Sequence, residues 1–101
     1  MSFANITLDD FTPHVGKKFP VNLALPQPLE LELRSAEPGR RPPKPGSRQS
    51  FALIFRAAPQ WNCTQTTYPI MHPTLGELPV FLVPIGRGPE GTELEAVFNF
   101  V

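Results

Sequence analysis

A chain of 101 residues, 41% of them hydrophobic, is long enough for one compact domain with a single core and too short for two. Nine basic residues balance nine acidic ones, so no overall field draws the molecule to nucleic acid or to an anionic membrane. Its single cysteine, Cys63, excludes an internal disulfide and favours a reducing compartment. The chain lacks a secretory signal pattern and any stretch of ~20 apolar residues. We therefore expect a soluble, cytoplasmic protein with one domain over residues 1–101.

The N-terminal segment predicts one short helix. Thr7 offers a hydroxyl cap, and the carboxylates of Asp9 and Asp10 follow at the positive end of the helix. Pro13 and Gly16 end it within about two turns. Fourteen prolines and seven glycines divide the chain into short pieces, which leaves little room for longer helices elsewhere.

Period-two patterns after this helix predict strands, because successive side chains of a strand point to opposite faces. Residues 21–25 place three apolar side chains on one face, and LELELR (29–34) alternates leucines with charged residues. SFALIFR (50–56) is apolar on both faces, so we place it at the centre of the sheet. The predicted core consists of Leu31, Leu33, Phe51, Leu53, Phe55, Val80, Leu82, Leu94 and Phe98.

The second half of the chain predicts further strands. Pro69 places the short strand around Tyr68 at an edge or a bulge, because proline lacks a ladder donor. LPVFLVPI (78–85), the turn-rich segment 86–91 and TELEAVFNFV (92–101) predict a hairpin. Five or six short strands indicate an all-β fold, a small antiparallel barrel or sandwich with a short N-terminal helix.

A proline-rich basic segment, EPGRRPPKPGSRQS, separates two of the predicted strands. Residues 34–48 carry a net charge of +4. The prolines of the segment favour a mobile loop at about residues 36–49. Two interpretations stay open: a plain connection, or an arm that grips phosphates or an acidic protein surface. The absence of aromatic residues there disfavours nucleic-acid binding. The candidate contact residues are Arg40, Arg41, Lys44 and Arg48.

Residues that could carry chemistry are few. His14, His72 and Cys63 are far apart in sequence and match no metal-binding spacing, so we predict no metal and no cofactor. His72 precedes Pro73 in a turn, where its ring can hydrogen-bond the backbone. An enzyme would need Cys63 to meet one of the two histidines. We predict that the protein is not an enzyme.

An alternative function is a barrel that binds a small molecule or a peptide at its mouth. The candidate pocket residues are Trp61, Tyr68 and His72.

Two segments together carry a resemblance to known proteins: ITLDDFTPHVGKKFPV (6–21), and MHPTLGELPVFLVPIG (71–86) followed by EAVFNF (95–100). They resemble a family of uncharacterised bacterial proteins of similar length associated with genes for phage-tail-like or tail-collar-like proteins. The resemblance implies a non-enzymatic β domain that helps build, cap or chaperone a larger assembly. We predict a protein partner or a homo-oligomer, joined through an edge strand near Tyr68 or through exposed aromatic residues, and no membrane partner.

Overall fold

The computed structural model describes residues 6–39, 45–46 and 49–99. Within these residues, six antiparallel strands form a nearly closed, barrel-shaped sheet in the spatial order β1-β2-β3-β6-β5-β4. The strands are β1 (Lys18–Pro20), β2 (Glu30–Pro38), β3 (Phe51–Ala57), β4 (Thr66–His72), β5 (Gly76–Gly88) and β6 (Gly91–Phe98). The first and last strands of this order meet where Val21 bridges Ile70 and the Asn22 N–H donates to the Pro69 carbonyl at 2.8 Å. The all-β prediction is confirmed.

The predicted N-terminal helix forms as two short 3₁₀ turns in the described part of that segment, Leu8–Asp10 and Thr12–His14. The Asp10 carboxylate accepts hydrogen bonds from the Thr7 backbone N–H at 2.8 Å and from the Thr7 hydroxyl at 3.3 Å. Between the turns, Phe11 is buried, with its ring centroid 6.0 Å from that of Phe51. This segment thereby closes one end of the barrel.

The interior of the barrel agrees with the predicted core, apart from one residue. Alternate residues of β3 are buried, and the predicted residues of β2, β5 and β6 lie inside with them, except that Phe98 is half-buried and packs against the core. Burial of these apolar side chains is the main force that holds such a small domain together.

The predicted strand at residues 21–25 is wrong. Leu23 and Leu25 are 45% and 39% exposed, whereas Val21 is buried. The reason is local: the Leu23 N–H donates to the Val21 carbonyl at 2.9 Å, and the Leu25 N–H donates to the Leu23 carbonyl at 3.0 Å. These tight three-residue turns break the alternation of faces on which the prediction depended.

The β5–β6 hairpin has a shorter loop than predicted, because Gly86 and Gly88 belong to β5 and Gly88 faces Gly91 across a two-residue turn. Gly91 has φ +127°, and a Cβ built on it would lie 3.0 Å from the Ala57 carbonyl carbon and closer still to its oxygen. Glycine is therefore required at this turn. The strand β4 is the last in the strand order, which confirms the predicted edge position of Pro69. On its paired side, Pro69 faces Pro79 of β5.

The predicted basic loop is narrower than residues 36–49, because β2 continues to Pro38 and the Gly39 N–H donates to the Ser50 carbonyl at 2.7 Å. The four basic residues predicted to bind a partner lie outside the described residues, so their role stays a prediction; they are Arg40, Arg41, Lys44 and Arg48. In the described part of the chain, no helix is both long and apolar enough to cross a membrane.

Candidate interaction face

The described part of the protein is acidic. It contains all nine acidic residues but only five of the nine basic ones, which gives it a net charge of −4 with neutral histidines. The four basic residues outside the described part balance this charge, so the whole chain has a net charge of zero and no overall field favours a basic or an acidic partner.

A row of alternating charges crosses the outer surface of four strands. In the strand register, Lys18 faces Glu32, Glu32 faces Arg56, and Arg56 faces Glu93. The Arg56 guanidinium pairs with the carboxylate of Glu93 at 3.2 Å and with that of Glu90 at 3.1 Å. Opposite charges on facing strand positions stabilise a sheet by about 0.2–1 kcal/mol each. Because Arg56 has its counter-ions within the protein, this row does not require a partner.

Next to the charged row lies an exposed surface that we call the apolar face. Phe81, Ile85 and Val97 have exposed fractions of 51%, 52% and 57%. Val83 of β5 faces Glu95 of β6. Phe81 and Val97 each lie two residues away on the same two strands, and side chains two residues apart point to the same face of a sheet, so both belong to this stretch of the outer surface. The face consists of Ala52, Ile54, Phe81, Val83, Ile85 and Val97.

Glu95 is the charged residue at the centre of the apolar face. It faces Ile54 on β3 and Val83 on β5, and its side chain is half-buried between them. Among the described residues, none forms an ion pair or a hydrogen bond with its carboxylate. The centre of the face thus combines an apolar surround with a charge that lacks a described protein partner.

Sequence reasoning missed this face. The run VFLV (80–83) is apolar at every position, and such a run is typical of a strand covered on both sides. The segment TELEAVF (92–98) did indicate it, because Val97 lies at the same outward-facing alternate positions as Glu93 and Glu95. An apolar residue in a polar phase indicates a surface that can be covered by another molecule.

Of the predicted pocket residues, Trp61 lines an open groove of about 370 Å³ at the edge of the charged row, together with the side chains of Lys18, Glu30 and Glu32. The loop that carries Trp61 is held by Arg87, whose guanidinium donates to the Pro59 carbonyl at 2.8 Å and to the Trp61 carbonyl at 3.1 Å. The same guanidinium donates to the Thr92 hydroxyl at 2.6 Å.

Tyr68, the second predicted pocket residue, is buried in the barrel wall. Its hydroxyl donates to the Thr64 carbonyl at 2.6 Å and accepts from the Thr64 N–H at 3.1 Å. Burial raises the pKa of the neighbouring Cys63 thiol above its ordinary value. Burial also raises the pKa of Tyr68. Both groups therefore stay protonated near neutral pH, and Cys63 has little of the thiolate that a nucleophile needs.

His72, the third predicted pocket residue, is buried near the opposite end of β4, about 13 Å along the strand from Tyr68. Its Nδ1 accepts from the N–H groups of Thr74 and Leu75 at 3.1 and 3.2 Å, so Nε2 carries the proton and donates to the Asp10 carbonyl at 2.7 Å. The expected bonding of this ring to the backbone is confirmed. A pocket shared by Trp61, Tyr68 and His72 stays a prediction.

The two histidines, far apart in sequence, meet in the structure. The ring of His14 lies with its centroid 5.1 Å from that of His72, and its Nδ1 is buried without a hydrogen-bond partner among the described residues. Burial, followed by the proximity of His72 and Lys17, lowers the pKa of His14. In the described chain, no group of three or more His, Cys, Asp or Glu side chains is placed to hold a metal ion.

Comparison with known proteins identifies a family but no function. The family model described as "Domain of unknown function (DUF6916)" matches residues 6–98, and the chain belongs to this family. No curated protein and no solved structure matches the chain. The family match extends over the whole barrel and its N-terminal turns, so the apolar face lies within the matched region.

Proposed function

We propose that this member of the DUF6916 family is a non-enzymatic interaction domain that binds a protein through the apolar face. The observation that carries the proposal is the exposure of Phe81, Ile85 and Val97 on one outer surface of β5 and β6. A contiguous apolar surface rimmed by charged residues is typical of protein interfaces, because its burial releases ordered water while the rim stays solvated.

The state of the reactive side chains supports a non-enzymatic role. Burial raises the pKa of the Cys63 thiol, so little of the reactive thiolate is present near neutral pH. Both ring nitrogens of His72 are engaged with backbone groups, so this imidazole lacks a free position for a general base.

A finer role, that of a component or accessory of a phage-tail-like assembly, follows from the sequence resemblance and is part of this proposal. In such an assembly the apolar face would be covered by a neighbouring subunit. Light scattering coupled to size-exclusion chromatography separates the two forms of the proposal. A defined oligomer indicates self-assembly, and a monomer indicates a different protein as the partner.

The experiment that tests the face itself compares two double variants with the wild type. Phe81→Thr with Val97→Thr removes apolar surface from the face while keeping a good strand former at both positions. Leu23→Thr with Leu25→Thr removes exposed apolar surface elsewhere and serves as the control. The readouts are oligomeric state and retention of partners from the native host, with circular dichroism to check folding.

We expect the first double variant to lose association and the control to keep it. The proposal fails if the Phe81 and Val97 variant folds and associates like the wild type.

A second candidate function, the binding of a peptide or small molecule, is favoured by the groove beside Trp61. Trp61 is the chain's one tryptophan, so its fluorescence reports on occupancy of this groove without a label. A ligand for the groove should change the emission of Trp61 in the wild type and in the Phe81 and Val97 variant alike. A change abolished by that variant would assign the ligand to the apolar face instead.

A further inference from the structure

The carboxylates on the outer surface differ in whether the protein supplies a counter-ion. Glu93 and Glu90 share Arg56 at 3.2 and 3.1 Å, and Glu32 pairs with Arg34 at 3.2 Å. Glu95, between Ile54 and Val83, has no ion-pair partner among the residues that the structure describes. Glu30 and Glu37 also lack an ion pair among these residues, but both are exposed to water, whereas Glu95 is half-buried at the centre of the apolar face.

Covering the apolar face removes water from Glu95. A carboxylate that is buried without a counter-ion loses its hydration and gains nothing in return, which strongly disfavours the complex. A lysine or arginine from the partner would instead form a charge-assisted hydrogen bond in a surround of low dielectric constant. A purely apolar or an acidic partner is thus disfavoured.

A second copy of the same face is a poor occupant for the same reason. The apolar face contains Glu95 and no basic residue among its described members, so two copies packed face to face would bury two carboxylates without a cation. Among the described residues, the face of a second copy therefore offers no cation to Glu95, and an occupant that brings a positive charge of its own is favoured.

We propose that the partner of the apolar face is a protein segment that presents apolar side chains around one lysine or arginine, and that this cation pairs with Glu95. This inference rests on the proposed function and narrows it to one class of partner. In this arrangement the apolar contacts supply most of the affinity, and the ion pair fixes the register and rejects acidic segments.

The test uses a displayed random dodecapeptide library as the probe. It is selected in parallel against the wild type, Glu95→Gln, Glu95→Lys and the Phe81→Thr, Val97→Thr variant. Asp9→Lys serves as the charge control, because Asp9 is an exposed residue of the N-terminal turns and the substitution changes the net charge by the same amount as Glu95→Lys. Thermal melting establishes that each variant is folded.

We expect the wild type and Asp9→Lys to enrich peptides in which a lysine or arginine lies among apolar residues. Glu95→Gln should lose the preference for a basic residue, and Glu95→Lys should replace it with a preference for Asp or Glu. Individual basic peptides should bind Glu95→Lys at least about tenfold more weakly than the wild type. The Phe81 and Val97 variant should enrich no family of peptides.

The outcomes separate the two proposals. If the Phe81 and Val97 variant loses binding but the peptides enriched by the wild type lack a basic residue, or if Glu95→Lys keeps the basic preference, the inference about the partner is overturned and the proposed function stands. If the Phe81 and Val97 variant selects the same peptides as the wild type, or the wild type selects none, the proposed function fails and the inference fails with it.

Discussion

Replacing Gly91 with alanine is expected to destabilise the barrel more than any other single methyl group added at the β5–β6 turn. Gly91 has φ +127°, a backbone conformation that costs an L-residue about 1–3 kcal/mol. Its new Cβ would also be within 3.0 Å of the carbonyl carbon of Ala57, which is backbone of the central strand β3 and cannot rotate away.

The magnitude follows from adding two effects. Forcing a methyl group into an occupied site costs about 1–3 kcal/mol through displaced backbone and side chains, so the total for Gly91→Ala is about 2–6 kcal/mol. Domains of this size have a free energy of unfolding of about 5–15 kcal/mol, and a loss of this size lowers Tm by about 10 °C or more.

The matched control is Gly88→Ala, on the facing position of the same turn. A Cβ at Gly88 meets no described heavy atom within 4 Å, so we expect a change within about 0.5 kcal/mol. Urea unfolding followed by Trp61 fluorescence and by circular dichroism measures both variants. The reasoning is refuted if Gly91→Ala and Gly88→Ala unfold at the same urea concentration.

Three further predictions concern side chains of the barrel. Folding lowers the pKa of His14, so the contribution of its neutral ring to the free energy of unfolding is complete above about pH 6.5 and is lost as the pH falls towards the lowered pKa. The melting temperature of the wild type should show this loss, and that of His14→Leu should not. The Cys63 thiol should react with an aromatic disulfide reagent at pH 8 more slowly than free cysteine, because burial raises its pKa, and an equal rate would contradict this. Arg87→Lys should lower the free energy of unfolding by about 1 kcal/mol and shift the fluorescence emission of Trp61, because one ammonium group cannot reach all three oxygen atoms that the Arg87 guanidinium bonds. The control Arg34→Lys should leave the free energy of unfolding and the Trp61 emission unchanged.

The sequence predicts the strands well where one face of the strand is covered by the chain itself. LELELR and SFALIFR place their leucines and phenylalanines inside as expected, because the alternation of side chains is a property of the strand alone. Residues 21–25 show the same alternation and yet form tight turns, since Asn22 is the last residue there to bond across to another strand. A pattern of period two indicates a strand but does not supply the neighbouring strand with which it must pair.

The candidate site could not be predicted in the same way, because it depends on register. Nothing in the sequence shows that Glu95 faces Ile54 and Val83 while Glu93, two residues earlier, faces Arg56. The same limit applies to His14 and His72, which lie in the N-terminal turns and in β4 and come together only when the barrel closes. Local patterns determine which face a residue occupies, and tertiary pairing determines its neighbours.

The seam between β1 and β4 is the part of the barrel wall that we expect to open first. It is joined at the Val21–Ile70 bridge and the Asn22–Pro69 hydrogen bond, whereas β3 pairs along seven residues with β2 or β6 on either side. Thermal opening should therefore start at the seam, so that the Asn22 amide exchanges with solvent earlier than the amides of β3. The apolar face lies on β3, β6 and β5, across the ring from this seam. A bound partner would thus rest on the slowly exchanging half of the molecule while the opposite wall continues to open and close.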